Sequence, residues 1–370
     1  MPAQLVASEL HEAGRSSDVT PDDASRHRIS ALPILILNVH ERCNCRCLMC
    51  DIWKRESGAE LGIEELARHR ESILRLGVRQ VVLTGGEPLM HQNLAALCSF
   101  LKECGVKITL LSTGLLLKKR AEMVASSIDE IIVSLDGSEE IHDSIRRVRG
   151  GFQLIREGIL EVRRLKPEMP ILGRSTVQKA NHSSLRKTVL AARGLGMDSI
   201  SFLASDLTSQ AFNRELVWPG ERQNEVALTS NEVDALEAEI ESLIREHGEE
   251  IAAKYIVERP EKLRRIARHF RAQLGQASPE APRCNAPWVS AVVEVDGSVR
   301  PCFFHPTIGS LRTTSLEEAL NGAQALSFRS SLNIAENPTC RRCVCSLHYA
   351  DRVKGTLPSL FEVMPLEAWT

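Results

Sequence analysis

The chain has 370 residues, is 43% hydrophobic but only 4% aromatic, and carries a formal net charge of −2. Near-neutral charge leaves no electrostatic case for nucleic acid or an anionic membrane as the main partner, and so few aromatics argue against a base-stacking surface. No apolar run approaches the roughly 20 residues that span a bilayer, and the first thirty residues lack the basic start and apolar stretch of a secretory signal, so a soluble cytoplasmic protein is expected.

Residues 1–30 are polar and have no sustained period, which predicts a mobile arm. From residue 31, strands expected at 33–39, 79–84, 107–112, 130–136, 170–177 and 198–204 alternate with helical patterns near 62–76, 91–104, 118–127, 152–166 and 182–195. Short strands rich in Val, Ile and Leu between longer helices argue an α/β unit over 31–206, with a parallel sheet and right-handed crossovers. The first strand carries the apolar run Leu32 to Leu37 and leads into Cys43, Cys45, Cys47 and Cys50, four cysteines in eight residues. A buried strand that ends in such a loop delivers thiolates to the edge of a sheet, where a soft metal site can be built. Without an export signal, the clustered members of the eleven cysteines read better as metal ligands than as disulfides. Cys98 and Cys104 fall on a helical segment and read as buried, inert thiols.

The second strand ends in Thr84-Gly85-Gly86-Glu87-Pro88-Leu89. Two glycines let the backbone approach a ligand, Pro88 fixes the turn, and Glu87 stands where the polar end of a zwitterion can dock. Ser112-Thr113-Gly114 closes the third strand and Ser134-Leu135-Asp136-Gly137 the fourth, followed by His142-Asp143 and the basic run Arg146-Arg147-Val148-Arg149. Asp136 reads equally well as a turn former, and the basic run as a solvated face.

Residues 207–283 break the rhythm and read as a helical bridge. Ser230-Asn231-Glu232 opens a helix through Val233, Leu236, Ile240 and Leu243, and a basic helix runs from Pro260 to Leu274 before a Gly275–Pro279 linker. Cys284 opens a small cysteine-rich unit over 284–346. Asp296-Gly297 makes a hairpin turn ahead of Cys302, and Cys340, Cys343 and Cys345 follow. Two thiols from a hairpin and two from a later CxxC can surround one metal site, and a structural zinc would use the same spacing. Residues 347–370 form a tail.

Cys43-x3-Cys47-x2-Cys50 after the first strand, with Gly85-Gly86-Glu87-Pro88 one β–α unit later, resembles the radical S-adenosylmethionine (radical SAM) enzymes. The resemblance implies a partial (β/α)6 TIM-like barrel and a [4Fe–4S] cluster held by Cys43, Cys47 and Cys50. The fourth iron is left for S-adenosylmethionine. The resemblance places the amino group of that ligand on Gly85, Gly86 and Glu87, and makes Ser134 and Arg174 candidates near its ribose and carboxylate. Cys45 is left unassigned and is expected to point away. The C-x12-G-x4-C…C-x2-C arrangement resembles the SPASM extension in its shortened twitch form. That implies one auxiliary [4Fe–4S] cluster on Cys284, Cys302, Cys340 and Cys343, with Cys345 as an alternative to Cys343. Chemistry in such barrels sits at the C-terminal ends of the strands, where the first two motifs fall.

The implied activity is reductive cleavage of S-adenosylmethionine to a 5′-deoxyadenosyl radical that abstracts hydrogen from a substrate, with an external electron donor such as flavodoxin or ferredoxin. An oxidoreductase-like outcome is favoured over epimerisation, decarboxylation or rearrangement. The short polar arm favours a small molecule (a sugar, nucleoside or antibiotic precursor), with a ribosomal peptide as the alternative. A molybdopterin-type GTP cyclase is disfavoured, because no CxxC precedes Cys284 and the chain ends Glu367-Ala-Trp-Thr370 rather than in paired glycines. The reading of another class is a non-catalytic iron–sulfur or zinc protein serving as scaffold or electron carrier.

Overall fold

The computed structural model describes residues 26–212 and 217–349, so most of the expected N-terminal arm and C-terminal tail lies outside the described residues. Its strands are β1 (Ile34–His40), β2 (Gln80–Gly85), β3 (Lys107–Ser112), β4 (Glu130–Ser134), β5 (Ile171–Val177), β6 (Ser199–Ala204), β7 (Ser290–Val293), β8 (Ser298–Arg300) and β9 (Gly309–Ser310). They form one open sheet in the order β6-β5-β4-β3-β2-β1-β7-β8-β9. Neighbours from β6 to β7 are parallel, and the β7–β8–β9 meander is antiparallel. Parallel strands are covered on both faces, which is why β1 and β2 read as unbroken apolar runs.

The crossovers are short helices. The expected helix at 62–76 is divided into α1 (Ile63–Ala67) and α2 (Arg70–Arg75) at buried His69, whose φ of −102° and ψ of 10° leave the helical basin. Next come α3 (Leu94–Glu103), α4 (Ala121–Ser127), α5 (Glu139–Arg146), α6 (Gly151–Leu165) and α7 (Leu185–Gly194). Helix α5, which the sequence reading did not expect, covers His142-Asp143 and the first residue of the basic run Arg146 to Arg149. It buries His142, Ile145 and Arg146, spaced as one helical face, so Arg146 is not solvated.

The bridge contains α8 (Gly220–Asn224), α9 (Ser230–Glu246), α10 (Gly248–Ala252) and α11 (Pro260–Gln273). Thr229 and Glu232 form a capping box at the start of α9, one residue earlier than the expected helix start. Leu236, Ile240 and Leu243 of α9 and Leu263, Ile266 and Phe270 of α11 join the core shared with the barrel strands. The bridge also seals the sheet edge. Ile200 of β6 donates its N–H to the Tyr255 carbonyl at 2.7 Å and accepts from the Val257 N–H at 3.0 Å.

The C-terminal unit adds α12 (Ala286–Val289), α13 (Leu316–Asn321), α14 (Ala323–Ser331) and α15 (Pro338–Arg341). It is not a separate layer, because β7 pairs along β1 with Ile34 opposite Ser290 and Leu37 opposite Val293. Residues 27–29, expected to belong to the arm, are fixed to this unit. Arg329, fully buried, donates from Nε to the His27 carbonyl at 2.7 Å, and Asn321 bonds the Ile29 N–H and carbonyl at 2.8 and 2.9 Å. Leu347 and Tyr349, at the start of the expected tail, pack against Ile34 and Val82.

Candidate metal centres on the sheet

The first cysteine loop leaves the C-terminal end of β1 and is stitched to α5. The Arg46 N–H donates to the Arg146 carbonyl at 3.1 Å, and the Leu48 N–H to the Ile145 carbonyl at 3.0 Å. Cys43 and Cys50 are half-buried; Cys45 and Cys47 are buried. The Ile52 N–H lies 3.4 Å from Cys50 Sγ, and Arg146 Nη1 lies 3.5 Å from Cys47 Sγ. A hydrogen bond from the Cys45 thiol, aided by the Arg146 charge, brings Cys47 down to about 6, whereas bonding to Cys43 and Cys47 and burial drive Cys45 upward.

Cys45, which the spacing leaves unassigned, is buried in one cluster with Cys47, Met49, Ile145 and Trp218.

Beneath the loop, Arg146 Nε donates to Asp136 Oδ2 at 2.6 Å, and the Thr176 N–H donates to Asp136 Oδ1 at 3.0 Å. Asp136 is fully buried, so this pair ties the end of β4 to β5 and to the floor of the cysteine loop. His142 Nδ1 accepts the Asp136 N–H at 3.3 Å.

Burial pushes His142 and His269 down to about 4. Asp136 and Asp143 oppose that shift at His142, as Asp206 does at His269, while Arg146 and Arg265 assist it. Between about 4 and the unfolded value of about 6.5, the unfolded chain binds protons that the folded chain refuses. Stability is thus fully present above pH about 6.5 and falls as pH drops toward 4, by roughly 3 kcal/mol from His142 alone. Urea midpoints should fall accordingly between pH 7 and 4.5, with a shallower fall in His142→Gln; a flat profile would exclude this coupling.

The loop after β2 presses on the start of the cysteine loop. The Gly86 N–H donates to the His40 carbonyl at 2.7 Å and the Glu87 N–H to the Arg42 carbonyl at 2.8 Å. Gly85 has φ +129°, and a Cβ on Gly86 would stand 2.0 Å from the Arg42 carbonyl oxygen. Gly86→Ala should therefore displace the two loops, cost about 1–3 kcal/mol and weaken S-adenosylmethionine binding. Equilibrium dialysis and a melting curve check this; unchanged values in both would contradict the tight approach.

Glu87 is buried and its carboxylate is saturated. Oε1 accepts from the Leu89 N–H at 3.0 Å and Ser112 Oγ at 2.8 Å, while Oε2 accepts from the Thr113 N–H at 2.7 Å and Thr113 Oγ1 at 2.6 Å. Four donors fill the acceptor sites of a carboxylate, so the side chain bolts β2 to β3. Thr113 Oγ1 also lies 2.9 Å from the Asn44 amide. A hydroxyl has one proton, and here Glu87 takes it, so the amide nitrogen of Asn44 must be the end that faces Thr113. The Asn44 carbonyl oxygen then takes the buried position that no described group satisfies. Sequence reasoning missed Asn44, though it lies inside the cysteine motif.

Ser134 and Arg174 stand opposite each other on β4 and β5. Arg174 lines a cavity of about 180 Å³ with Ser201, Glu258 and Lys262, and the same cavity is lined by Cys284, Cys302, Cys340, Cys343 and Cys345. Ser134 is half-buried at the strand end and does not line it.

The second cysteine set is thus brought together, with local donors around it. The Ala286 N–H lies 3.4 Å from Cys284 Sγ, His305 Nε2 lies 3.3 Å from Cys340 Sγ, and the Phe304 and His305 N–H groups face Cys302. Burial raises Cys302 to about 12 and Cys340 to about 11, and raises Cys343 well above the ordinary thiol range. Cys343 lies beside Cys345, Cys302 and Cys284 and donates from Sγ to the Cys345 carbonyl at 2.7 Å, while Cys345 has Arg174, Asp206, Lys262 and Cys284 around it. Among the described residues, no three His, Cys, Asp or Glu side chains converge on a single-ion position. By strand register, Cys284 and Cys302 flank the end of the hairpin beside the start of β1, while Cys43 follows its finish.

Residues 37–188 match the family model described as the radical SAM superfamily, and residues 284–344 match that of the SPASM iron–sulfur cluster-binding domain. An AdoMet-dependent heme synthase of Methanosarcina barkeri is 29% identical over 198 residues, 50% of this chain and 56% of that protein. A probable GTP 3′,8-cyclase of Methanococcus maripaludis is 30% identical over 127 residues, 33% of this chain and 43% of that protein. The chain spans about half the length, or less, of these curated relatives. Among solved structures, Streptococcus suis SuiB bound to its precursor peptide SuiA superposes with a TM-score of 0.60 at 14% identity, over 88% of this chain and 74% of that one.

Proposed function

This chain belongs to the radical SAM superfamily and is an enzyme with a C-terminal SPASM domain, a [4Fe–4S] cluster, an auxiliary cluster and S-adenosylmethionine as its cofactors; from that premise we propose that it abstracts hydrogen from a small polar molecule enclosed between barrel and C-terminal unit. The observation that carries the reading is the joined pair of loops after β1 and β2. Cys43, Cys47 and Cys50 would hold the first cluster, with the backbone of Gly85 and Gly86 and the side-chain carbonyl oxygen of Asn44 beside it. Held by those three cysteines, the reduced cluster would supply the one-electron chemistry that cleaves S-adenosylmethionine reductively.

The remaining work belongs to the chain. Glu87, saturated by the β3 loop, fixes the Gly85–Gly86 backbone rather than docking an ammonium with its own side chain. Arg146 holds the cysteine loop and favours thiolate at Cys47. Cys284, Cys302, Cys340 and Cys343 are the auxiliary ligands, with Cys345, which lines the same cavity, as the alternative to Cys343. Arg174, Lys262 and Glu258 orient the substrate from the cavity wall. Charges of both signs on the wall of a small cavity suit a compact polar molecule, and an external reductant such as flavodoxin or ferredoxin would supply the electron.

The test is anaerobic reconstitution followed by reduction with S-adenosylmethionine present. About eight irons per chain and 5′-deoxyadenosine well above background are expected. Full iron loading without 5′-deoxyadenosine would overturn the proposal.

A further inference from the structure

A second cavity, of about 390 Å³, lies on the outer side of α11, between that helix, the 275–280 linker and α15. It shares no lining residue with the cavity of the five cysteines. Four guanidinium groups line it, those of Arg265, Arg268, Arg341 and Arg342, with one carboxylate, Glu280, which is paired to Arg268 at 2.8 Å. His269 also lines it, and burial keeps that ring neutral near pH 7.

This balance is unlike the rest of the bridge. There, Arg271 is matched to Glu237 and Asp234 and Arg264 to Glu241, while Glu239 and Glu246 of α9 are matched to Arg186 of α7. In a chain of net charge −2, an arginine cluster that keeps a positive surplus inside a cavity is an exception. The groups are also held by neutral acceptors. Arg341 Nε donates to the Pro279 carbonyl at 3.0 Å, and Arg265 Nη2 to the Cys343 carbonyl at 3.0 Å. Each of these bonds uses one of five N–H donors, so the planar forks are positioned and still have donors to give.

We propose that this cavity is a binding site for a small molecule bearing a phosphate or pyrophosphate group, separate from the S-adenosylmethionine site. Paired guanidinium forks match phosphate oxygens two at a time, and the volume lies within the range of small-ligand pockets. Arg268 and Arg342, at the exposed rim, attract the anion, and Arg265 and Arg341 form the inner contacts.

The experiment is calorimetric titration of the reconstituted protein at about 50 mM salt with pyrophosphate, inorganic phosphate and, as a carboxylate control, citrate. Saturable pyrophosphate binding that weakens with salt is expected, and Arg268→Gln/Arg342→Gln should weaken it by at least about 10-fold with an unchanged melting curve. Phosphate binding as tightly as pyrophosphate would identify a single-phosphate site and support the proposal. Citrate binding more tightly than both phosphates would overturn it. So would absent binding, or equal affinity in the double variant. The Cys43→Ala/Cys47→Ala/Cys50→Ala protein should bind pyrophosphate as the parent does, so the outcome is independent of whether the first cluster acts as proposed.

Discussion

Alanine in place of Cys43, Cys47 and Cys50 will bring 5′-deoxyadenosine to background while leaving a second iron–sulfur signal intact. Iron should fall from about eight to about four per chain, since the two cysteine sets lie at different ends of β1 and line different sites. Iron analysis, electron paramagnetic resonance and product quantification read the three consequences separately. Loss of all iron would show that the sites assemble as one, and residual turnover would remove these cysteines from the mechanism. A zinc ion in the C-terminal set of the parent protein would overturn the auxiliary assignment. The complementary Cys302→Ala/Cys340→Ala protein should retain the first signal.

The second large effect is expected at Arg146. Removing this side chain leaves Asp136, fully buried, with only the Thr176 N–H on its carboxylate. Breaking one member of a buried ion pair costs about 3–5 kcal/mol, because the remaining charge cannot reach water. Arg146→Ala should therefore show a large drop in urea midpoint. Asp136→Asn/Arg146→Met should recover most of it, since Asn still accepts from Thr176 and no charge is stranded. The pair also carries the floor of the cysteine loop through the Arg146 and Ile145 carbonyls. The recovered double variant should thus remain stable yet bind iron at the first site less tightly, having lost the charge beside Cys47. If Arg146→Ala unfolds no more readily than the parent, the pair does not hold the loop.

The contrast between these positions shows what a sequence can reveal. The cysteine spacing and the Gly85-Gly86-Glu87 segment were readable because their chemistry is compressed into a few consecutive residues after strands of clear apolar character. The Asp136–Arg146 pair was not, though only ten residues separate its members. A basic run looks solvated until Ser138 is recognised as a helix start and His142, Ile145 and Arg146 as one face of the turns that follow. Arg174 could not be placed, because its neighbours Glu258, Lys262 and Cys345 come from the bridge and the C-terminal unit. The hairpin at Asp296-Gly297 was evident locally. Its pairing with β1 was not, because strand sequence specifies a buried face more firmly than a partner.

That pairing has a consequence for how the protein is made. β1 is translated early, yet the strand that covers its free edge begins about 250 residues later, which at ordinary synthesis rates is a delay of roughly 10–50 s. Throughout that interval the nascent chain presents Ile34 to Leu37 as an uncapped apolar edge leading straight into an oxidisable cysteine loop. Chains stopped at residue 283 should aggregate on release, and should be rescued by residues 284–370 supplied as a separate fragment. The sheet can therefore close over the free edge of β1 only once residues 290–293 have been made.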